Sequence, residues 1–301
     1  MNNTSTHPIL DFLVIGSQKS ATSWLYKCLE DHPEIGLPAK KREVEYIGGE
    51  LFKKGGYEWY EGLLDWSQPV IHGDVSVEYI VNPESAELIH KRYPNIKLIL
   101  IVRDPIKRAL SAYQWYLRKG SIEFDEQKAL KAFEAAKEKY RAEDYQIDQY
   151  DFFDILHRGN YKHLLQPYLQ YFKEDQIALL DHQDIEEDNP AALQFIYSFL
   201  GVQNDFIPPS LGERPKQNSN KKWLIWLERI NPNNQILSGI IDRLHQWFIK
   251  SEGNKNKNAD KQHAFYPLLN QFYGSTFKDF KKDMALKTDC MIFKKELWEA
   301  K

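Results

Sequence analysis

The sequence predicts an α/β fold, a parallel central sheet flanked by helices, and three observations carry that prediction. Residues 12–15, 96–102 and 176–180 form short, nearly uninterrupted apolar runs, the pattern of strands buried on both faces. Each run leads, directly or through a turn, into a segment whose apolar residues recur at helical spacing, and alternating strands and helices imply a parallel sheet covered on both sides. The chain of 301 residues is 42% hydrophobic and 14% aromatic, enough to build a substantial core and too apolar for a disordered chain. All 301 residues read as a single domain, with its core at about residues 10–210 and a helical C-terminal region.

The elements follow in order. Phe12-Leu13-Val14-Ile15 reads as a buried strand that stops at Gly16. Trp24, Leu25, Cys28 and Leu29 then mark an amphipathic helix, which His32-Pro33 ends because the residue before proline is pushed out of the α region. Residues 70–77 supply a shorter strand. The strand 96–102 runs into Arg103-Asp104-Pro105 and then into a helix through Ala109 and Tyr113. Residues 161–172 read as a helix, 176–180 as a strand, and 191–200 as a helix closed by Gly201. Residues 121–150 are charged and helix-prone, and are expected as a solvated helix or helical pair lying over the sheet. Residues 251–262, SEGNKNKNADKQ, read as an exposed polar loop.

Composition excludes several classes. With 40 Lys and Arg against 43 Asp and Glu the net charge is −3, so no overall basic excess argues for nucleic acid. Mean hydropathy is −0.60, and no apolar run approaches the ~20 residues of a membrane span. Cys28 and Cys290 are too few for a disulfide framework or a zinc site of their own. MNNTSTHPIL lacks the basic start and apolar core of a secretory signal, which places the protein in the cytoplasm as an expectation. No pairing motif specifies an oligomer.

The first chemical signal is GSQKSATSWLYKCL, residues 16–29, at the junction of a buried strand and a helix. Such junctions collect unpaired backbone N–H groups and the positive end of the helix dipole, so they bind phosphate readily. Lys19 adds a point charge, and Ser20, Thr22 and Ser23 add hydroxyls. The same composition also fits a plain turn in which Ser20 or Thr22 caps the helix. A Walker A loop is disfavoured, because Ala21 and Thr22 stand where that motif needs Gly and Lys, and Lys19 arrives three residues early.

Residues 16–29 resemble the 5′-phosphosulfate loop of sulfotransferases that use 3′-phosphoadenosine 5′-phosphosulfate (PAPS), whose P-loop-like fold is shared with nucleotide kinases. The resemblance implies that Lys19 supports the leaving group and that Ser17, Gln18, Ser20, Ala21, Thr22, Ser23 and Trp24 complete the cradle. KLILIVRDPIKRALSAYQWY, residues 97–116, resembles the family's second signature, a strand ending in Arg-[DN]-Pro and a helix carrying Ser. It implies that Arg103 and Ser111 bind the 3′-phosphate, a sensible pairing of a guanidinium fork and a hydroxyl with a dianion. Arg108 is either an accessory charge or a surface residue. Gly159-Asn160-Tyr161 resembles the family's Gly-x-Tyr segment, implying a cofactor role for Tyr161. Phe199-Leu200-Gly201 and the late Trp298 match further family positions. Asn218 and Ser219 resemble its cofactor-closing loop, with Lys216, Lys221 and Lys222 nearby.

The resemblance implies sulfuryl transfer from PAPS to a hydroxyl or amine of a small-molecule or saccharide acceptor. The product is 3′-phosphoadenosine 5′-phosphate (PAP), and lysine and arginine stand in for a metal. The family's Lys-Glu-x-x-aromatic motif, which carries its proposed base, aligns with Arg42-Glu43-Val44-Glu45-Tyr46. Glu43 is the leading base, Glu45 competes with it, and two neighbouring carboxylates raise one another's pKa toward neutrality. His72, in IHGDVSVEY beside the acceptor segment of Gly73, Asp74, Ser76, Glu78 and Tyr79, is a third candidate. Trp59, Trp66 and Trp115 are candidates to line an acceptor cleft. Two other readings stand beside this one, a non-catalytic nucleotide- or glycan-binding protein and a nucleotide kinase with a degenerate P-loop.

Overall fold

The computed structural model describes residues 10–38, 46–68, 70–122, 125–141, 151–213, 241, 243–244, 261, 263–287 and 289–299. The chain packs as two compact units, one of residues 1–103, 161–213 and 278–301, the other of residues 104–160 and 214–277.

The first unit holds six parallel strands: β1 (Phe12–Gly16), β2 (Ile35–Gly36), β3 (Ile71–Val75), β4 (Lys97–Val102), β5 (Ile177–Asp181) and β6 (Met291–Ile292). Their spatial order is β2-β3-β1-β4-β5-β6. The helices are α1 (Thr22–Glu30), α2 (Glu50–Glu61) and α3 (Ser85–Arg92), then α4 (Pro105–Lys119), α5 (Glu126–Arg141) and α6 (Phe152–His157) of the second unit. The first unit resumes with α7 (Tyr161–Tyr171), α8 (His182–Glu187) and α9 (Asn189–Leu200).

The uninterrupted apolar strands are buried on both faces. Phe12, Val14, Ile99, Ile101, Ala178 and Leu180 share one core with Leu25, Cys28 and Leu29 of α1 and Leu193, Ile196 and Tyr197 of α9. The alternate residues Leu13, Ile15, Leu98, Leu100 and Leu179 are buried as fully. The expected strands at 12–15, 70–77, 96–102 and 176–180 are all present, and two short edge strands, β2 and β6, join them.

The strand order positions the site. From β1 the chain goes to β2 at the edge and returns to β3 beside β1, whereas β4 and β5 lie on the other side. The strand order therefore reverses between β1 and β4. In open parallel sheets the crevice outside the carboxyl ends of the strands at such a switch point is where ligands bind. Gly16 ends β1 there, and Arg103 directly follows β4.

In the second unit α4, α5, α6 and the helix Tyr266–Tyr273 pack around Tyr113, Phe133, Phe153 and Phe265. Two expectations are corrected here. Helix α5 is not solvated all round, because Ala129, Phe133 and Ala136 form a buried stripe within this second core. Arg108 is not a surface residue. It is fully buried, and its Nη2 donates to the Ile155 carbonyl. Asp154 accepts from Tyr116 and pairs with Arg158 at 2.7 Å, so buried polar contacts join α4 to α6. The polar segment 251–262 lies outside the described residues apart from position 261.

A candidate anion-binding site at the carboxyl edge of the sheet

Where β1 ends, its register against β4 shifts between Val14 and Gly16. The chain then stays tied to β4, with the Ser17 amide and the Ser17 hydroxyl both donating to the Ile101 carbonyl at 2.9 Å. Gly16 is required here. Its φ is +156°, and a Cβ would sit 2.8 Å from Cγ2 of Ile80.

The loop that follows contains two non-glycine residues in the left-handed region, Lys19 at φ 67° and Ala21 at φ 66°. That conformation costs an L-residue ~1–2 kcal/mol, and turns of this kind bring backbone N–H groups together into anion-binding concavities. Three contacts hold it. The Ser17 and Ser20 hydroxyls bond each other at 2.7 Å, Ser17 is bound to Ile101, and Nη1 of Arg103 donates to the Lys19 carbonyl at 2.8 Å.

Helix α1 then starts from Ala21 without any side-chain cap, its carbonyl accepting from the amides of Trp24 and Leu25. The expectation of a turn capped by Ser20 or Thr22 is therefore corrected. Ser17 and Ser20 are buried and turned toward one another, so their hydroxyls brace the loop from within. Gln18 and Thr22 are buried as well, Lys19 and Ala21 are partly exposed, and Ser23 is exposed. Trp24 is buried, with its indole N–H donating to the Leu211 carbonyl at 3.2 Å.

Arg103 thus stands beside the first loop, half-buried. Its peptide is held by Tyr161 at the start of α7. The Tyr161 hydroxyl accepts from the Arg103 amide at 3.2 Å, donates to the Arg103 carbonyl at 2.9 Å, and lies 3.5 Å from the Ser17 hydroxyl. The structure therefore brings together Ser17, Lys19, Ser20, Arg103 and Tyr161. Ser111 lies partly buried on α4 in the other unit, and the motif rather than a measured approach assigns it. Asn218 and Ser219, with Lys216, Lys221 and Lys222, lie outside the described residues.

On the acceptor side, Glu43 and Glu45 also lie outside the described residues, between β2 and Tyr46. Among the described residues, β3 ends in a buried cluster. Oδ2 of Asp74 accepts from Tyr79 at 2.6 Å and from Tyr60 at 3.1 Å, while Oδ1 accepts from the Val75 amide at 2.7 Å. Burial, with the Asp74 charge second, pushes both tyrosine hydroxyls well above their ordinary pKa. Tyr60 and Tyr168, whose hydroxyl donates to the Tyr79 carbonyl at 2.8 Å, gave no sequence signal as partners of this segment.

His72 is placed elsewhere. It lies three residues before the carboxyl end of β3, about 10 Å along the strand. Its Nε2 donates to the Asp65 carbonyl at 2.8 Å, and its ring packs on Trp66 at 4.5 Å. That is a packing role on the amino side of the sheet, and Trp66 is occupied with it. Trp115, in the second unit, packs against Tyr116. Trp59 is partly buried over Gly55.

The family model for a sulfotransferase domain matches residues 10–280. The membrane-associated sulfotransferase kil1 of Dictyostelium discoideum is 36% identical over 119 residues, 37% of this chain and 25% of that protein. Heparan sulfate glucosamine 3-O-sulfotransferase 5 of Mus musculus is 25% identical over 270 residues, 88% of this chain and 71% of that protein. The match thus spans about a quarter of the kil1 protein and most of the mouse one. A sulfotransferase structure from Alicyclobacillus acidocaldarius superposes with a TM-score of 0.57 at 23% identity, covering 78% of this chain and 96% of that one, which shows the same fold.

Proposed function

This chain belongs to the sulfotransferase-domain family, and we propose that it moves the sulfuryl group of PAPS to a hydroxyl or amine of an acceptor and releases PAP. The observation that carries the reading is the hydrogen bond from Arg103 to the Lys19 carbonyl. It joins the loop that suits a 5′-phosphate to the residue that suits a 3′-phosphate, at the switch point of the sheet. The fit to the nucleotide is supported by the left-handed turns at Lys19 and Ala21, of the kind that gather backbone N–H groups around an anion.

When bound, PAPS supplies an activated sulfuryl group on a phosphate leaving group. The protein's part is positioning and charge, which supply most of the catalysis in transfers of this kind. The Lys19 ammonium neutralises negative charge at the 5′ side, and Arg103 with Ser111 holds the 3′-phosphate. Glu43 removes the acceptor's proton, with Glu45 as its competitor. We favour the two glutamates over His72, whose Nε2 is bonded to the Asp65 carbonyl. Metal-independent transfer is part of the proposal, since cationic side chains take the place of Mg²⁺. Among the described residues no cluster of His, Cys, Asp and Glu is arranged to hold a metal ion.

We propose a saccharide as the acceptor in preference to a small planar metabolite. The heparan sulfate glucosamine sulfotransferase match, which covers most of this chain, supports that choice. A cytoplasmic location belongs to the same reading, supported by the free thiols of Cys28 and Cys290. Among the described residues no helix is long and apolar enough to cross a membrane. The test is radiolabelled transfer from PAPS to a panel of glucosamine-containing saccharides and phenols, with and without EDTA. Labelled saccharide formed equally in both is expected. Transfer confined to phenols would remove the acceptor class, and abolition by EDTA would remove the metal-free mechanism.

A further inference from the structure

We propose that Tyr161 is the positioning residue that sets the protein's preference for nucleotides carrying a 3′-phosphate. Its hydroxyl does not reach out toward ligand. Tyr161 is 2% exposed, and its one oxygen is engaged by the Arg103 amide at 3.2 Å, the Arg103 carbonyl at 2.9 Å and the Ser17 hydroxyl at 3.5 Å. Both polar groups of one peptide unit's residue are therefore fixed by a single side chain, immediately after β4 ends.

The consequence is geometric. Arg103 leaves a regular strand at a point where the backbone ladder to β5 has already ended, since the last register pair is Val102 with Asp181. Without the Tyr161 hydroxyl the Arg103 peptide loses both of these hydrogen bonds, while its side chain stays bonded to the Lys19 carbonyl. The first loop is less dependent on Tyr161, because Ser17 is held to Ile101 through both its amide and its hydroxyl, and Ser20 to Ser17. Loss of the hydroxyl therefore loosens the 3′ side of the site more than the 5′ side, where Ser17 and Ser20 keep these bonds. The Tyr161 ring packs against Phe280 at 5.8 Å, a contact that phenylalanine keeps.

This inference rests on the reading of Arg103 as a 3′-phosphate ligand, and the experiment separates the two. PAP and adenosine 5′-phosphate (AMP) are titrated by calorimetry into wild type, Tyr161→Phe and Tyr197→Phe. Tyr197→Phe is the control, because it removes a buried tyrosine hydroxyl bonded to a backbone carbonyl, that of Cys28 at 3.0 Å, away from both loops. Wild type and Tyr197→Phe are expected to prefer PAP over AMP by the same ratio. In Tyr161→Phe that ratio falls about tenfold, the usual order for one broken buried hydrogen bond, while the AMP affinity stays within about twofold. An unchanged ratio in Tyr161→Phe overturns the positioning role. No PAP preference in wild type overturns the nucleotide reading instead. Should Tyr161→Phe fail to fold, hydrogen exchange on wild type decides. The Arg103 amide is slowed more by PAP than by AMP if the proposal is right, and equal slowing overturns it.

Discussion

Replacing Arg103 with lysine keeps a positive charge at the end of β4 and removes the planar fork. The fork has two tasks in this account. Nη1 holds the Lys19 carbonyl at 2.8 Å, and the remaining donors serve the nucleotide phosphate. A hydrogen bond involving a charged group contributes ~1.5–3 kcal/mol. Losing the phosphate contact should therefore weaken PAP binding about 10–150-fold. Losing the clamp also removes the charged hydrogen bond to the Lys19 carbonyl, so the ligand-free protein should melt a few degrees lower as well. Calorimetry with PAP and thermal unfolding without ligand measure the two effects separately. PAP binding within threefold of wild type would refute the phosphate role of the guanidinium. An unchanged melting temperature without ligand would refute the clamp.

Other substitutions and conditions test the rest. Gly73→Ala would place a Cβ 2.3 Å from the Phe12 ring, and overpacking of this kind costs ~1–3 kcal/mol, read as a lowered denaturant midpoint. Lys281→Met removes the cation paired with the buried Asp181 carboxylate at 2.6 Å; it should cost ~3–5 kcal/mol, and adding Asp181→Asn, which keeps an oxygen for the Gln183 amide at the start of α8, should recover much of that. Burial pushes the Cys28 and Cys290 thiols and the Tyr26 and Tyr113 hydroxyls up to about 12. The native state then holds protons that the unfolded chain releases, so the stability these groups contribute is present below their ordinary pKa and is lost as pH rises toward 12. Melting curves should fall steadily over that alkaline range, and native protein should resist thiol reagents at pH 8. Glu43→Gln should lower turnover ~10²–10⁴-fold with PAP binding unchanged, and an equal loss in Glu45→Gln alone would transfer the base to Glu45.

The parts of the fold legible in the sequence are those specified by local pattern. Strands β1, β4 and β5 announce themselves because a strand buried on both faces must be apolar throughout. Strands β2 and β6 do not, since Ile35-Gly36 and Met291-Ile292 are strands only through their pairing with β3 and β5. The charge of α5 masks its buried side, although Ala129, Phe133 and Ala136 form a helical stripe. Burial of Arg108 is not legible in the sequence, because a charged residue belongs outside unless a partner is visible, and its partner is a backbone carbonyl 47 residues away.

The candidate site divides in the same way. The two loops, their order and their strands could be read from residues 16–29 and 97–116. Their coupling could not, because it needs β1 beside β4 before Arg103 can reach the Lys19 carbonyl. The inward turn of Ser17 and Ser20 depends on the register shift after Val14, and no spacing rule reports that. His72 sits on a strand that does approach the site, but at the wrong end of it, a distinction visible only once strand direction and bounds are known.

The central claim is that two loops at one switch point read a nucleotide with phosphates at both its 3′ and 5′ positions. Calorimetric titration of the wild-type protein with PAP, ADP and ATP–Mg²⁺ tests it most directly. PAP should bind tightly at one site per chain, and both other nucleotides at least tenfold more weakly. Binding of ADP or ATP–Mg²⁺ as tight as PAP would contradict it.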